Sequence, residues 1–517
     1  MAKPPRDYAP PDGPSDGDEY SAPEGGVPRG PLDVQIPEAA PRFDRVKVLA
    51  FLVGVLAFLI CAAMPPLADA VDPQGQSFAL SKQARLALGL FMLAAIWWVF
   101  EVVPVGVTAI TIAVIQASFQ IRDSRAAFTD FLDPSVWFII GALTIGAAFS
   151  SAGLTNRIAY RMLALVGDRV SMIYFGCFVL TAFLTLFMAH SAVAAAVFPL
   201  LAVIHSAYSD DGAPTRFGKG LFIGMAFTAG AGSIITLFGA ARGAVAIGFY
   251  RDLAGREISF FELTYYMAPL GVVMILLLWA YVRIAFRPEK TRIPGLKRRA
   301  RELHKSLGPL KRDERLVIGI TLVVVVAMSL RSIVPQLGTI DKSAIILSAT
   351  VLFFLLGCLK LKDLEALPLN IILLFGGAMS IGFCLWQTGA AQWLAIQWLN
   401  LLPSESGFLF VVGVSVFVLV MTNLIMNVAA IAISLPVTLA IAPYLGVAPE
   451  VILFAALAAA GMPFLSLVGA APNAIAYQSR QFTAAEFFRA GIPASLLLIA
   501  VIALFVWKIW PWMGMPV

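Results

Sequence analysis

Apolar runs of about twenty residues recur along this chain from Val46 to Trp512, and they restrict its fold more than any other feature. A run of that length crosses a hydrocarbon core of about 30 Å as an α-helix. The runs are continuous rather than alternating, which favours helices over a β-barrel. Hydrophobic residues occupy 60% of the 517 positions, more than the roughly 45 to 50% of soluble globules. We therefore predict an all-α polytopic membrane protein with about eleven transmembrane helices.

The charged and metal-ligating residues exclude several classes of function. The net charge is +6, but the basic residues lie mainly in loops, as the positive-inside rule expects, so we expect no nucleic-acid partner. With only three histidines a multi-histidine metal centre is hard to build, and the four cysteines lie in apolar segments without the spacing of a metal or redox site. The sequence also offers no paired nucleophile and base. We therefore expect neither an enzyme nor a cofactor.

Changes in composition divide the chain into four regions. We expect a disordered, proline-rich cytoplasmic tail (1–45), a first transmembrane helix with a first repeat (46–290), a basic cytoplasmic loop (291–315) and a second, inverted repeat (316–517). The tail has no signal-peptide pattern, so we place the N-terminus in the cytoplasm. An odd number of spans then puts the C-terminus outside a plasma (cell inner) membrane.

Two apolar segments carry a small polar island at the same distance from a proline. His190 precedes Pro199 by the same spacing that separates Asn427 from Pro436. Such segments are too polar at their centres for ordinary spans, and a non-helical turn inside a membrane requires surrounding protein or a water-filled cavity. We predict that both are re-entrant hairpins, covering Met172–His205 and Phe408–Ala442.

A glycine-interrupted segment follows each hairpin. The first covers 221–250 and the second 451–477, and residues 239–246 can be superposed on 469–476 at a glycine and four alanines. An odd number of intervening spans gives the two copies opposite orientations, which is the inverted repeat of secondary transporters. In such folds half-helix N-termini suit anions and unwound carbonyls suit sodium ions. We therefore predict two broken helices and a substrate site between their breaks and the hairpin tips.

Several motifs together resemble those of the divalent anion/sodium symporter family, the dicarboxylate, citrate and sulfate cotransporters, over nearly all of the chain after the tail. These motifs are Trp97–Pro104 with Thr108-Ala109, Leu307-Gly308-Pro309 with Asp313-Glu314-Arg315, Leu373–Gly377 leading to Gln387-Thr388-Gly389, and Ala471–Ile475. The resemblance implies a small anionic substrate, a homodimer in the lipid bilayer, and elevator-type alternating access. It also implies Ser-Asn-Thr at each hairpin tip.

This chain departs from that pattern at both tips. The first tip reads Ala189-His190-Ser191 and the second Met426-Asn427-Val428. By position, the resemblance implies a substrate-binding set of His190, Ser191, Arg242, Asn427, Pro472 and Asn473. The second tip has lost a hydroxyl and the first region has gained basic side chains, so a dianion gripped equally at both ends is disfavoured. We expect an asymmetric substrate, anionic at one end and less polar at the other.

The sodium sites implied by the resemblance are also unequal. Thr422, Asn427 and the carbonyl of Gly469 preserve oxygen ligands for a hard cation at the second tip. Thr185 and Gly239 remain at the first. There, an imidazole replaces an amide oxygen and Arg242 brings a fixed positive charge, so a sodium ion would be repelled or replaced. The alternative is that Arg242 snorkels to a membrane surface.

Three functions stay open. The first is a secondary transporter for a carboxylate, sulfonate or sulfate-class anion, coupled to Na+ through one surviving site. The second is a sodium-independent or proton-linked exchanger, because His190 and Arg242 could supply charge that sodium supplies elsewhere. The third is a non-transporting sensor or scaffold that keeps the fold without Ser-Asn-Thr.

Overall fold

The computed structural model describes residues 45–65, 67–71, 76–209, 213–399 and 406–515. The predicted disordered tail, 1–45, lies outside the described residues except for its last position. The first part of the chain forms α1 (Arg45–Ala63), α2 (Lys82–Val99), α3 (Val105–Ser118), α4 (Ser124–Thr129), α5 (Pro134–Ser151), α6 (Leu154–Val166), α7 (Val170–Leu184), α8 (His190–Ser206), α9 (Arg216–Gly232), α10 (Ala241–Ala254) and α11 (Phe260–Ala285). A two-stranded antiparallel ribbon, β1 (Ala70–Val71) and β2 (Ser77–Phe78), follows α1 and pairs Ala70 with Phe78.

The remaining helices continue the same pattern. They are α12 (Leu296–Ser306), α13 (Arg312–Ile333), α14 (Lys342–Leu355), α15 (Leu361–Glu365), α16 (Leu369–Gln387), α17 (Ala390–Leu399), α18 (Gly407–Leu424), α19 (Asn427–Ile441), α20 (Pro449–Gly461), α21 (Ala471–Tyr477), α22 (Ala484–Leu504) and α23 (Trp510–Trp512). Within the described ranges, nine helical stretches are long and apolar enough to cross a membrane, and five shorter apolar helices accompany them. The predicted class, an all-α polytopic membrane protein, is confirmed.

The predicted hairpins and broken helices are all present. Helices α7 and α8 form the first hairpin, and α18 and α19 form the second; α9 and α10 are the halves of one broken helix, and α20 and α21 of the other. We call these eight helices the inner unit. Within it, α10 packs against α19 and α21 packs against α8, so the second half of each broken helix contacts the hairpin of the other repeat.

Glycines allow the two broken helices of the inner unit to approach each other closely. A Cβ atom added at Gly230, near the end of α9, would lie only 2.8 Å from the carbonyl oxygen of Gly461, the last residue of α20. Because no side chain separates them, the helices meet next to both breaks. Every residue of α20 from Val451 to Gly461 is buried, which places this contact in the interior of the protein.

A second group of helices packs beside the inner unit. Helix α3 lies against α16 and α2, and α5 lies against α14 and α16; we call these five helices the frame. Close contacts again involve glycine, because a Cβ at Gly377 would lie 2.4 Å from Ala109 and one at Gly141 would lie 2.7 Å from Ile346. Helices α10 and α19 of the inner unit rest on α16, and α10 also contacts α5. The frame therefore forms one wall against the inner unit.

The region predicted as a basic loop, 291–315, contains the helix α12. Leu296 and Ala300 are buried where α12 packs on α6, and most of the basic residues of α12 are exposed. The segment is therefore an amphipathic helix, although its charge alone indicated a loop. Beyond α12, the guanidinium of Arg157 binds both carboxylate oxygens of Glu314, at 2.7 and 2.9 Å. It also donates to the carbonyl of Gly308 at 2.8 Å. We call these contacts of Arg157 with Gly308 and Glu314 the Arg157 clamp. They give the motif at 307–315 a structural role.

Candidate functional site

The hairpin tips and the helix breaks meet at one cavity of about 740 Å³, counting its open mouth. Residues 189–191 and 426–428 of the tips line it, together with 240–241 and 469–471 of the breaks. The opposite wall comes from α5 and α16 of the frame. The cavity therefore lies at the boundary between the inner unit and the frame, where the repeat predicted a substrate site.

Four helices of the inner unit begin at this cavity. Helix α8 starts at His190 and α19 at Asn427, while α10 and α21 start at Ala241 and Ala471. Their N-cap residues are Ala189, Met426, Ala240 and Ala470, and in the described structure none supplies a side-chain cap. By contrast, α9 and α18 are capped by Thr215 and Ser406. The uncapped N–H groups of the longer half-helices α8, α10 and α19 thus favour negative charge in the cavity.

The first tip is fastened to the first break by two hydrogen bonds. The backbone N–H of His190 donates to the carbonyl of Gly239 at 2.9 Å. The hydroxyl of Thr236 donates to the carbonyl of Leu186 at 2.9 Å. The ring of His190 lines the cavity, and its Nδ1 atom is buried without a hydrogen-bond partner among the described residues. An unpartnered buried polar atom is unusual in a folded protein and requires an explanation, of which a bound ligand is one.

Arg242 lies behind the wall of the cavity. Its side chain is only 1% exposed, which contradicts snorkelling to a surface. Its Nη2 atom donates to the hydroxyl of Ser233 at 2.7 Å, and that hydroxyl donates to the carbonyl of Gly230 at 2.7 Å. A Cβ atom at Gly461 would lie 2.7 Å from Nη2, so the guanidinium occupies the crossing of the two broken helices.

The charge of Arg242 has no acidic counterpart in the described part of the chain. No ion pair joins it to a described carboxylate, and its Nη1 atom is buried without a partner there. A charged side chain within a membrane span costs about 2.5 to 3.5 kcal/mol on insertion scales. An unpaired guanidinium at this depth is therefore expected to serve a function, and stabilising an anion in the adjacent cavity is the simplest one.

The predicted sodium ligands at the second tip are brought together. A Cβ atom added at Gly469 would lie 2.6 Å from the carbonyl oxygen of Thr422, so the break and the hairpin are in close contact. The hydroxyl of Thr422 donates to the carbonyl of Ala460 at 3.1 Å. Asn427, 6% exposed, lines the cavity beside Gly469. Carbonyl, hydroxyl and amide oxygens are the types of donor that suit a hard cation such as Na+.

The equivalent residues at the first tip also meet. A Cβ atom at Gly239 would lie 2.8 Å from the carbonyl oxygen of Thr185 and 2.6 Å from that of Ser233. Ser233 is the residue that accepts the hydrogen bond from Arg242. The guanidinium of Arg242 therefore lies next to the oxygens that would correspond to a sodium site at this tip. A positive charge in that position is expected to repel a sodium ion.

Asn473, a residue of the predicted substrate set, makes structural contacts instead. The side-chain amide of Asn473 donates to the carbonyls of Pro463 at 2.7 Å and Ser466 at 2.8 Å, which holds the second break in shape. Three residues of the predicted set, Arg242, Pro472 and Asn473, do not line the cavity. His190, Ser191 and Asn427 are present. Of the six residues predicted to bind substrate, three therefore line the cavity and three do not.

Sequence reasoning missed Asn423 and the apolar lining of the cavity. The Oδ1 atom of Asn423 accepts hydrogen bonds from the backbone N–H groups of Leu465 at 2.8 Å and Ser466 at 3.1 Å, which ties the second hairpin to the second break. Its proximity to Asn427 in the sequence was the available signal. The apolar residues that line the cavity include Phe138, Ile139, Leu143, Leu237, Phe238, Ile371, Phe375 and Val428.

Comparison with known proteins agrees with this architecture. A family model described as the sodium:sulfate symporter transmembrane region matches residues 47–516. The chain belongs to this family. The predicted membership of the divalent anion/sodium symporters is therefore confirmed, with divergent hairpin tips. Sodium:sulfate symporter family membership makes the chain a multi-pass membrane transporter and not an enzyme.

Relatives of known name cover most of this symporter-family chain. It is 25% identical over 453 residues to the sodium-dependent dicarboxylate transporter SdcS of Staphylococcus saprophyticus, covering 84% of this chain and 87% of the relative. It is 26% identical over 490 residues to SdcS of Staphylococcus aureus strain MRSA252, with 91% and 92% covered. Its fold is similar to that of the Alcanivorax borkumensis YdaH transporter, with a TM-score of 0.53, 14% identity, and 92% of this chain and 99% of that one covered.

Proposed function

We propose that the chain is a secondary active transporter for a small anion of the carboxylate, sulfonate or sulfate class. The convergence of two hairpin tips and two helix breaks, from the two halves of the chain, on one cavity is the observation that carries this proposal. Uncapped half-helices and a buried guanidinium make the surroundings of the cavity electropositive. The names of the SdcS relatives support an anionic, carboxylate-containing substrate class.

Transport would proceed by an elevator-type movement. The helices of the inner unit pack on one another across the two repeats, which allows them to move as one body. The cavity is bounded by that body on one side and by α5 and α16 on the other. A displacement of the inner unit along the frame would therefore carry a bound anion across the membrane while the tips keep hold of it.

Sodium would be coupled through the second tip alone. Thr422, Asn427 and Gly469 would hold the ion with oxygen atoms, and its charge would add to the positive potential of the cavity that binds the anion. At the first tip, Arg242 would supply positive charge permanently. This arrangement needs fewer coupling ions than one with a sodium ion at each tip.

A sodium-independent or proton-linked exchanger is the second candidate. The observation that favours it is the buried Arg242, which already provides charge without a mobile ion. A sensor or scaffold without transport is the third. These three functions predict different fluxes, so one reconstituted system can separate them.

Purified protein in proteoliposomes, assayed for uptake of radiolabelled succinate, benzoate and sulfate, would provide the test. We expect uptake of at least one anion that is driven by an inward sodium gradient and saturates with sodium. Uptake that needs an internal anion and ignores sodium would favour the exchanger. Absence of flux for every anion under sodium, proton and counter-anion gradients would overturn the transporter proposal in favour of the scaffold.

Two threonines offer a matched pair for the sodium assignment. Thr422→Val removes a proposed ligand of the second site, and we expect the half-saturating sodium concentration to rise about tenfold or more. Thr185→Val removes the equivalent hydroxyl at the first tip, where Arg242 replaces the ion, and should leave that concentration unchanged. Equal effects of both substitutions would contradict a single sodium site.

Assembly and orientation belong to the same proposal. We place the chain in the plasma membrane as a homodimer, with the N-terminus and α12 in the cytoplasm and the C-terminus outside, following the distribution of basic residues. Single cysteines introduced into α12 and near Trp512, labelled with a membrane-impermeant reagent in intact cells, would test the orientation. Labelling at α12 but not near Trp512 would show that the chain has the opposite orientation in the membrane.

A further inference from the structure

We infer that the cavity selects an anion with one negative charge and an apolar, preferably aromatic, body over a dicarboxylate or sulfate. This inference rests on the proposed transport function and names the substrate class of the same site. Two features of the cavity carry it. Positive charge is concentrated at the first tip, and the rest of the wall is largely apolar.

The anionic group would bind at the first tip. Helix α8 is 17 residues long, and its N-terminus, which has no side-chain cap, lies there; the backbone N–H of His190 donates to Gly239, and Ser191 follows it at the cavity. The independent observation is the pair of buried, unpartnered nitrogen atoms: Nδ1 of His190 within the wall and Nη1 of Arg242 behind it. Ala240 and Ala241 line the cavity directly before Arg242 in the chain, and the guanidinium itself lies at the crossing of the two broken helices, next to Gly461. In a medium of low polarity a charge acts over a longer distance than it does in water.

The second tip lacks an equivalent of this arrangement. Val428, 3% exposed, lines the cavity at the position next to Asn427 and offers two methyl groups. A second carboxylate placed there would lose its water and gain few hydrogen bonds in return, which is unfavourable for a charged group. Asn427 can still donate or accept one hydrogen bond. It suits a neutral substituent, such as a hydroxyl or carbonyl group, better than a second charge.

Aromatic rings from both the frame and the first break line the cavity. Phe138 on α5 and Phe238 in the first break stack with ring centroids 6.0 Å apart and an interplanar angle of 12°. Phe375 on α16 also lines the cavity. A flat apolar ligand body is well accommodated by such surfaces. Sulfate has no apolar part, so it would leave these aromatic surfaces uncovered and would gain no binding free energy from them.

The lining residues define one arrangement for this class of ligand. A benzoate-like molecule would place its carboxylate at His190 and its ring beside Phe138 and Phe238. One bound sodium at the second tip would not require a second carboxylate.

Matched ligand pairs would test the inference on the purified full-length chain with sodium present. Benzoate and terephthalate share a ring and differ by one carboxylate, and hexanoate and adipate share a chain length and differ in the same way. In each pair we expect the monoanion to bind at least about tenfold more tightly, measured by competition and by the ligand-induced rise in thermal midpoint. Succinate and sulfate should bind more weakly than benzoate.

Two variants give the test a structural control. Val428→Thr restores a hydroxyl at the second tip and should reduce the difference within both pairs. Val193→Thr makes the same change at a fully buried position of α8 that does not line the cavity, and should leave that difference unchanged. Phe238→Leu should weaken benzoate more than hexanoate, because only the ring loses a stacking partner.

The outcomes separate this inference from the transport proposal. Tighter binding or faster uptake of adipate, succinate or sulfate than of the monoanions would overturn the inference and leave an anion transporter. Failure of every anion to bind and to cross the membrane would overturn both. An unchanged preference in Val428→Thr would contradict the role given to the second tip.

Discussion

The backbone N–H of His190 donates a 2.9 Å hydrogen bond to the carbonyl oxygen of Gly239, so the first hairpin tip and the first helix break form one connected structure. At the second tip, the closeness of Gly469 to the carbonyl of Thr422 has the same effect. Each tip is therefore positioned by a glycine of the neighbouring break. Movements of a tip on ligand binding must involve that break as well.

Replacing Arg242 should weaken anion binding and change the response to sodium. Arg242→Gln keeps much of the volume but removes the charge, and we expect anion affinity to fall about tenfold or more. With the fixed cation gone, the oxygens near Thr185 could accept a second sodium ion, so the sodium dependence of binding should become steeper. An anion-induced thermal shift that is the same after Arg242→Ala as before would refute the charge-replacement hypothesis. Ser233→Ala, which removes only the hydrogen bond, should have a smaller effect.

Replacing Gly239 or Gly469, the glycine at each helix break, by alanine should distinguish the anion-binding role of the first tip from the sodium-binding role of the second. In Gly469→Ala the new Cβ would lie 2.6 Å from the backbone oxygen of Thr422, so the loop must shift and the half-saturating sodium concentration should rise. Gly239→Ala should instead lower anion affinity, because it displaces the tip that carries His190. Gly319→Ala on α13, where no atom lies within 4 Å, is the control and should be neutral or slightly stabilising. Sodium dependence measured by thermal shift would distinguish these results.

Removing Arg157 should destabilise the fold rather than the site. Arg157→Ala leaves the carboxylate of Glu314, which is 3% exposed, buried without its bidentate partner. Removing one partner of a buried ion pair lowers the free energy of unfolding by about 3 to 5 kcal/mol, so the thermal midpoint in detergent should fall by several degrees. Arg161→Ala, at an exposed position of the same helix, should have little effect. Equal midpoints for the two variants would mean that the clamp contributes nothing measurable.

Glu257 should make stability depend on acidity. Its carboxylate lies 2.8 Å from Nη2 of Arg331 and 2.9 Å from Nζ of Lys342, which connects the loop after α10 to α13 and α14. Burial raises the pKa of Glu257, but Lys342 and Arg331 outweigh it and hold the pKa below the ordinary value of about 4.3. Since the pKa is lowered in the folded state, the stabilisation is present above pH 4.3 and is lost as the pH falls through the lowered value.

The corresponding measurement is the thermal midpoint as a function of pH. Glu257→Gln should have a lower midpoint than the unsubstituted chain at neutral pH, and the difference should shrink in acid. Glu302→Gln removes a carboxylate whose side chain is 68% exposed and should leave the profile unchanged. A Glu257→Gln profile parallel to that of the unsubstituted chain down to pH 3 would contradict the assignment.

The sequence by itself determined the membrane class, the inverted repeat and the location of the tips. These features depend on local patterns, because a membrane helix satisfies its own backbone and each hairpin carries its polar island within a short segment. His190, Ser191 and Asn427 could be placed at the cavity for that reason. Only the tertiary structure decided that Arg242 occupies the helix crossing next to Gly461, that Asn473 and Asn423 hold the second break, and that α5 and α16 supply an apolar wall. Such contacts join segments far apart in the chain, and their geometry follows from how helices pack, which no local pattern records.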